Sequence, residues 1–106
     1  MTVRDLSEKL PLETLNDEED RAINGVFCCD LLSVAMARAP EDSAWVTVIG
    51  NANTIAVATL ADVACIVLAE GYSFDETAIN AARGKIALFR SDKPVYETAV
   101  SIGTLL

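Results

Sequence analysis

Residues 44–71 read AWVTVIGNANTIAVATLADVACIVLAEG, and the conformation of the middle of this stretch decides the fold. Two apolar runs rich in β-branched residues, AWVTVIG at 44–50 and ACIVLAEG at 64–71, flank NTIAVATLAD at 53–62. Within that segment Ile55, Val57 and Thr59 alternate as strand residues do, whereas Ala56, Ala58, Leu60 and Ala61 suit a closely packed helix. We read it as a helix, because parallel strands need a crossover between them.

Working outward, the same unit recurs. GVFC at 25–28 and KIALF at 85–89 are further strand candidates, and the strand starts fall about twenty residues apart, near the minimum for a strand and its crossover helix. LLSVAMARAP at 31–40 follows Asp30, a good N-cap, and stops at Pro40. In SFDETAINAARGK, Ser73 and Glu76 have capping-box spacing and Gly84 supplies the stop. KPVYETAVSIGTLL at 93–106 carries Pro94 where a first-turn proline is tolerated, with Val95, Ala99, Ile102 and Leu106 on one stripe. Near the start, TVRDLSEKL at 2–10 forms an amphipathic helix with Val3, Leu6 and Leu10 inward, and LETL at 12–15 an edge strand. The expectation is a single α/β domain over residues 1–106: a compact two-layer or three-layer fold with a mostly parallel sheet of four to five strands and short crossover helices.

Composition narrows the function. Eight basic against sixteen acidic residues leave a net charge of −8, which repels nucleic-acid phosphates and anionic headgroups. The acidic runs NDEED at 16–20 and APED at 39–42 read as solvated loops. No leader pattern opens the chain and no apolar tract reaches the ~18–20 residues of a membrane span, so the expectation is a cytoplasmic protein without a membrane partner. The absence of histidine removes Ser-His and Cys-His nucleophile pairs and the commonest metal ligand.

CDLLS at 29–33, AWVTVIGNANTIAVA at 44–58, ACIVLAEG at 64–71 and the Ser91-Asp92 pair resemble the DRTGG-domain family of small bacterial and archaeal modules, over nearly the whole chain. A weaker likeness, over the last two strand-helix units, is to the N-terminal domain of HPr kinase/phosphorylase. The region corresponding to the signature reads Asp20, Arg21, Ala22, Ile23, Asn24, Gly25, without the second glycine, and Asn51 stands where that family often has histidine. The resemblance implies a regulatory or accessory module without catalytic activity of its own, found alone or fused to CBS domains in regulated pyrophosphatases and to acyl-phosphate enzymes.

The three cysteines do not form a disulfide framework, and adjacent Cys28 and Cys29 lack metal or redox spacing. On a strand they point to opposite faces, and they read as small buried hydrophobes at a strand end, with Cys65 in the core. Cys29, close to a helix start, is the residue on which a thiol-dependent redox protein or enzyme would depend. In open parallel sheets ligands bind beyond the carboxyl ends of the strands. Those ends supply the candidate ligand residues Cys29, Asp30, Ser33, Gly50, Asn51, Asn53, Thr54, Glu70, Ser91 and Asp92. IGNANT is the most site-like, since Gly50 permits close backbone approach and Asn51 either donates to a ligand or caps the next helix. Asp30, Glu70 and Asp92 are the carboxylates that a divalent cation would need together, but neither a metal nor a cofactor is assigned. The expected function is a non-enzymatic regulatory or accessory module, homodimeric, that binds a small anionic, nucleotide-like ligand or a partner protein such as an enzyme at this edge. A structural subunit of a larger complex is the remaining alternative.

Overall fold

A computed structural model describes residues 1–106. In chain order the elements are α1 (Val3–Lys9), β1 (Glu13–Asn16), β2 (Gly25–Cys28), α2 (Leu32–Arg38), β3 (Ser43–Thr47), α3 (Ala52–Ala61), β4 (Cys65–Leu68), α4 (Glu76–Ala82), β5 (Ala87–Arg90) and α5 (Val95–Gly103). The five strands form one sheet in the order β1-β5-β4-β3-β2. β2 to β5 run parallel, and β1 closes the far edge antiparallel to β5. The ambiguous 53–62 segment is helical, as the crossover requires.

Because side chains alternate across a strand, each face of the sheet has its own core. Trp45, Ile66, Leu68 and Leu88 turn toward α2, α3 and α4, where they meet Ala35, Ile55, Ala58, Ala78 and Ala82. Ala44, Val46, Cys65, Val67, Ala87 and Phe89 turn the other way, under Val3 and Leu6 of α1 and Ile102 of α5. The result is a three-layer sandwich. Three crossovers stepping in one direction put α2, α3 and α4 on one face, and the terminal helices cover the other. The register aligns Ala44, Cys65 and Ala87 in one row, so the thiol of Cys65 sits as a small apolar group between two alanines.

The turns that feed the strands share a device. Asp42 before β3 (φ 61°), Asp62 before β4 (φ 56°) and Gly84 before β5 (φ 75°) all adopt the left-handed conformation that reverses the chain out of a helix. Arg21 crosses beneath two of them. Its guanidinium bonds the Asp42 carboxylate, the Asp62 carboxylate at 3.1 Å and the Asp62 carbonyl at 3.2 Å. Partial burial lowers the pKa of Arg21, but hydrogen bonds to Asp42 and Asp62 outweigh it and the net shift is upward. Its neighbour Asp20 accepts from the backbone N–H of Arg4 at 2.9 Å, and that bond above all lowers its pKa. The adjacent residues Asp20 and Arg21 therefore tie the first helix and two strand entries together.

Four local expectations need correction. α4 is capped by Asp75, whose carboxylate accepts from Ala78 N–H at 2.7 Å, not by a box of Ser73 and Glu76. α2 has Leu31 at its N-cap, without a side-chain bond, because the Asp30 carboxylate is turned toward β3. Pro94 stands at the N-cap of α5, one place before the first turn. Leu106 lies past the end of α5 and is exposed, while Val95, Ala99 and Ile102 do face the core.

Candidate functional site

Parallel strands deliver their carboxyl ends to one rim, so the loops after β2, β3, β4 and β5 lie side by side in that order. The rim is held by its own side chains. The Asp30 carboxylate accepts from the Thr47 hydroxyl at 2.9 Å and from Val48 N–H at 3.0 Å, joining the β2 and β3 loops. Asn51 caps α3, its side-chain oxygen accepting from Thr54 N–H at 3.2 Å, and Thr54 is itself buried. Gly50 does come close to backbone, but the backbone is the chain's own. A Cβ at 50 would stand 2.7 Å from the Ser73 carbonyl and 3.0 Å from Phe74 Cα. Its carbonyl accepts from Asp75 N–H at 3.0 Å, which joins the β3 loop to the start of α4.

On the β4 and β5 side, Glu70 (φ 61°) and Gly71 (φ 74°) take consecutive left-handed conformations. That turn lets Glu70 N–H donate to the Lys93 carbonyl at 2.8 Å and Gly71 N–H to the Ser91 carbonyl at 3.0 Å. The Glu70 carboxylate accepts from Val95 N–H at 2.8 Å and serves α5 as the cap that Pro94 cannot supply. Arg90 bonds the Gly71 carbonyl at 3.0 Å and the Asp92 carboxylate at 2.9 Å. Ser91 is buried, its hydroxyl 2.9 Å from that of Thr98.

Asp30 lies at the end of β2 and Ser91 at the end of β5, three strand spacings apart, or about 14 Å at ~4.8 Å per spacing. The ten sequence-derived residues are thus spread along the rim, with neighbouring strands bringing the loop at Gly50 and Asn51 beside the one at Glu70. Cys29, Asp30, Ser33, Gly50, Asn51, Asn53 and Thr54 belong to the β2–β3 end, where Ser33 and Asn53 are exposed. Glu70, Ser91 and Asp92 belong to the β4–β5 end. Asp30, Glu70 and Asp92 do not converge, and no group of three or more acidic or thiol side chains is placed to hold a metal ion.

A pocket of about 220 Å³ opens at the β5 end. Leu10, Pro11 and Leu12 form one wall, and Ser91, Asp92, Lys93, Thr98 and Ser101 the other. Ser91 and Asp92 were legible in advance from strand-end position. Lys93, Thr98 and Ser101 were not, although the hydroxyls of Thr98 and Ser101, three residues apart on α5, mark one face. The Leu10–Leu12 wall arrives from the opposite end of the sequence, which no local signal reveals. Lys93 is the only cation in the lining and makes none of the four ion pairs in the molecule.

The chain matches no family model and none of the curated proteins compared with it.

The thiols are placed differently from the expectation of two buried hydrophobes. Cys28 is exposed, Cys29 is half-buried and Cys65 is buried. Desolvation of the sulfur, and then the Asp30 carboxylate, raise the Cys28 pKa above the ordinary thiol value. The Cys29 sulfhydryl points at the Leu31 carbonyl, 3.4 Å away, and the residue packs against the core beside Trp45, whose indole N–H donates to the Cys29 carbonyl at 3.0 Å. Burial pushes the Cys65 thiol up to about 12. No helix is long and apolar enough to cross a membrane.

Proposed function

We propose that this chain is a non-enzymatic regulatory or accessory module of the DRTGG type, homodimeric and cytoplasmic, which binds a small anionic ligand at the β5 end of its strand-end rim. The pocket beside Ser91, Asp92 and Lys93 carries this reading, because it lies where open parallel sheets take ligands. Size restricts the ligand. Pockets that enclose drug-sized molecules run to about 300–1,000 Å³, so a volume of about 220 Å³ suits a compact anion such as an acyl phosphate or the phosphate end of a nucleotide. The Lys93 ammonium would meet the charge, and Leu10 and Leu12 would cover a short apolar part. Arg90 already answers Asp92, which reduces the negative field that an incoming anion meets.

The non-enzymatic part of the reading draws on the occupation of the rim side chains. Asp30, Asn51, Glu70 and Ser91 are each engaged in holding a loop or a helix end, and the one hydroxyl that pairs with a carboxylate, Thr47 on Asp30, is fully buried away from any substrate. A thiol-dependent activity through Cys29 draws little support from a sulfur that is half-buried against the core.

A thermal-shift screen with acetyl phosphate, inorganic phosphate and nucleotides tests the proposal, since a ligand bound only to the native state raises the melting temperature by mass action. Stabilisation by a phosphorylated compound that Lys93→Met abolishes is the expected result. No stabilisation by any of them, or turnover of one that is lost in Asp30→Ala or Asn51→Ala, would overturn it.

A further inference from the structure

The two edges of the sheet are built differently. β1 is protected against further pairing: it carries Glu13, and its register with β5 shifts between Thr14 and Asn16. β2 has neither protection. Its four residues, Gly25 to Cys28, contain no charge and no proline, and they pair with β3 in unbroken register. Cys29 N–H donates inward to the Val46 carbonyl at 3.3 Å, so by alternation the N–H and C=O groups of Val26 and Cys28 face the open side.

The flanks of that edge are apolar as well. On one face of the sheet Phe27 of β2 and Leu32 of α2 pack into the same core cluster, and on the other α5 packs on β2. Six of the eight large apolar residues left exposed are Leu31, Val34 and Met36 beside or on α2, and Tyr96, Val100 and Leu106 on or just beyond α5. In a chain of net charge −8, residues 22–37 hold one charged side chain, Asp30, and its carboxylate is already bonded to Thr47 and Val48. Two strongly acidic copies repel one another least when they meet through a surface of this kind.

We infer that two copies of this chain join edge to edge through β2, in an antiparallel pairing about a twofold axis, to make one ten-stranded sheet with α2 and α5 of each copy packed across the seam. The inference rests on the proposal that the chain is a homodimer and adds where the contact lies. Symmetry selects the register. With the axis beside Phe27, Val26 of each copy lies opposite Cys28 of the other, and this one register satisfies the outward backbone groups of both residues at once. The two Cys28 side chains then share a face of the sheet as diagonal neighbours, their α-carbons about 7–8 Å apart.

Analytical ultracentrifugation of the full chain, with cross-linking of a Cys29→Ser variant by a short bismaleimide, tests this. The chain is expected to sediment as a dimer, Val34→Glu/Met36→Glu as a monomer with unchanged circular dichroism, and the Cys28 thiols to link the two copies in high yield. A monomeric wild-type chain would overturn the dimer and this contact together. A dimer whose Cys28 thiols fail to link, or which persists in the double variant, would overturn the β2 contact and leave the dimer standing. Should the double variant unfold, the cross-link decides alone.

Discussion

Asp30 and Thr47 form a bond between neighbouring loops: the carboxylate accepts from a fully buried hydroxyl at 2.9 Å and holds the end of β2 against the end of β3. Asp30→Ala leaves the proton of that buried hydroxyl without an acceptor, which costs about 1–3 kcal/mol. Thr47→Val removes the buried donor together with its need for a partner, so adding it to Asp30→Ala should recover part of the loss. Urea unfolding of the two single variants and the double variant measures the coupling. Strictly additive losses would show that the bond contributes nothing.

Gly50 is required by contact within the chain itself. An alanine methyl at this position meets the Ser73 carbonyl at 2.7 Å and the Leu68 methyl at 2.8 Å, and the backbone partner has no freedom to withdraw. Gly50→Ala is expected to lower stability by about 1–3 kcal/mol, as forced overpacking does, and to loosen the β3 and α4 junctions together. Hydrogen exchange at Asp75 N–H, which bonds the Gly50 carbonyl, should quicken in step with the loss. An unchanged melting temperature would show that the 73–74 loop can move aside.

How far the fold was readable follows from which signals are local. Strand positions and their mostly parallel direction came from apolar runs with short helical spacers between them, and the helix at 53–62 came from topology where periodicity was ambiguous. Helix starts were misread where a competing hydrogen-bond partner lay nearby. Asp30 looks like a cap for α2 in one dimension, but the Thr47 hydroxyl at the end of the adjacent strand donates to its carboxylate instead. Asp75 displaced Ser73 at α4 for the simpler reason that two capping residues stand close together. The exposure of Cys28 was hidden because it depends on β2 being an edge, and strand order is a non-local property. The site was half legible for the same reason. Strand ends were readable, but the Leu10–Leu12 wall reaches the β5 end only through the antiparallel return of β1.

Arg21 is expected to behave as a cross-brace. Its guanidinium meets both Asp42 and Asp62, two residues held at positive φ, and a lysine cannot serve two carboxylates and a carbonyl with one compact ammonium. Since the side chain is about one-third exposed, the ion pairs are screened, and Arg21→Lys should cost only about 1 kcal/mol. Asp62→Gly separates conformation from charge: it relieves the left-handed strain and removes the acceptor. If the brace dominates, Asp62→Gly destabilises the wild type yet has little effect in the Arg21→Lys background. Chemical denaturation of the four proteins reads this directly, and stabilisation of the wild type by Asp62→Gly would show that strain outweighs the ion pair.

Cys65 sets a limit on stability at high pH. Its folded pKa is raised by burial to about 12 from an ordinary value of 9.0, so the native state holds a proton that the unfolded chain gives up first. The contribution is complete below about pH 9 and is lost as pH rises toward 12, because deprotonation then draws the equilibrium to the unfolded side. Cys65→Ala keeps a small apolar group between Ala44 and Ala87 and should flatten this part of the profile, while leaving a small packing loss below pH 9. Reagent access gives an independent check. Iodoacetamide at neutral pH should modify exposed Cys28 slowly, since its thiol pKa is also raised, and should reach Cys65 only when the chain unfolds. Mass spectrometry of native and urea-treated protein separates the sites, and modification of Cys65 in the native state at a rate close to that of Cys28 would contradict its place in the core.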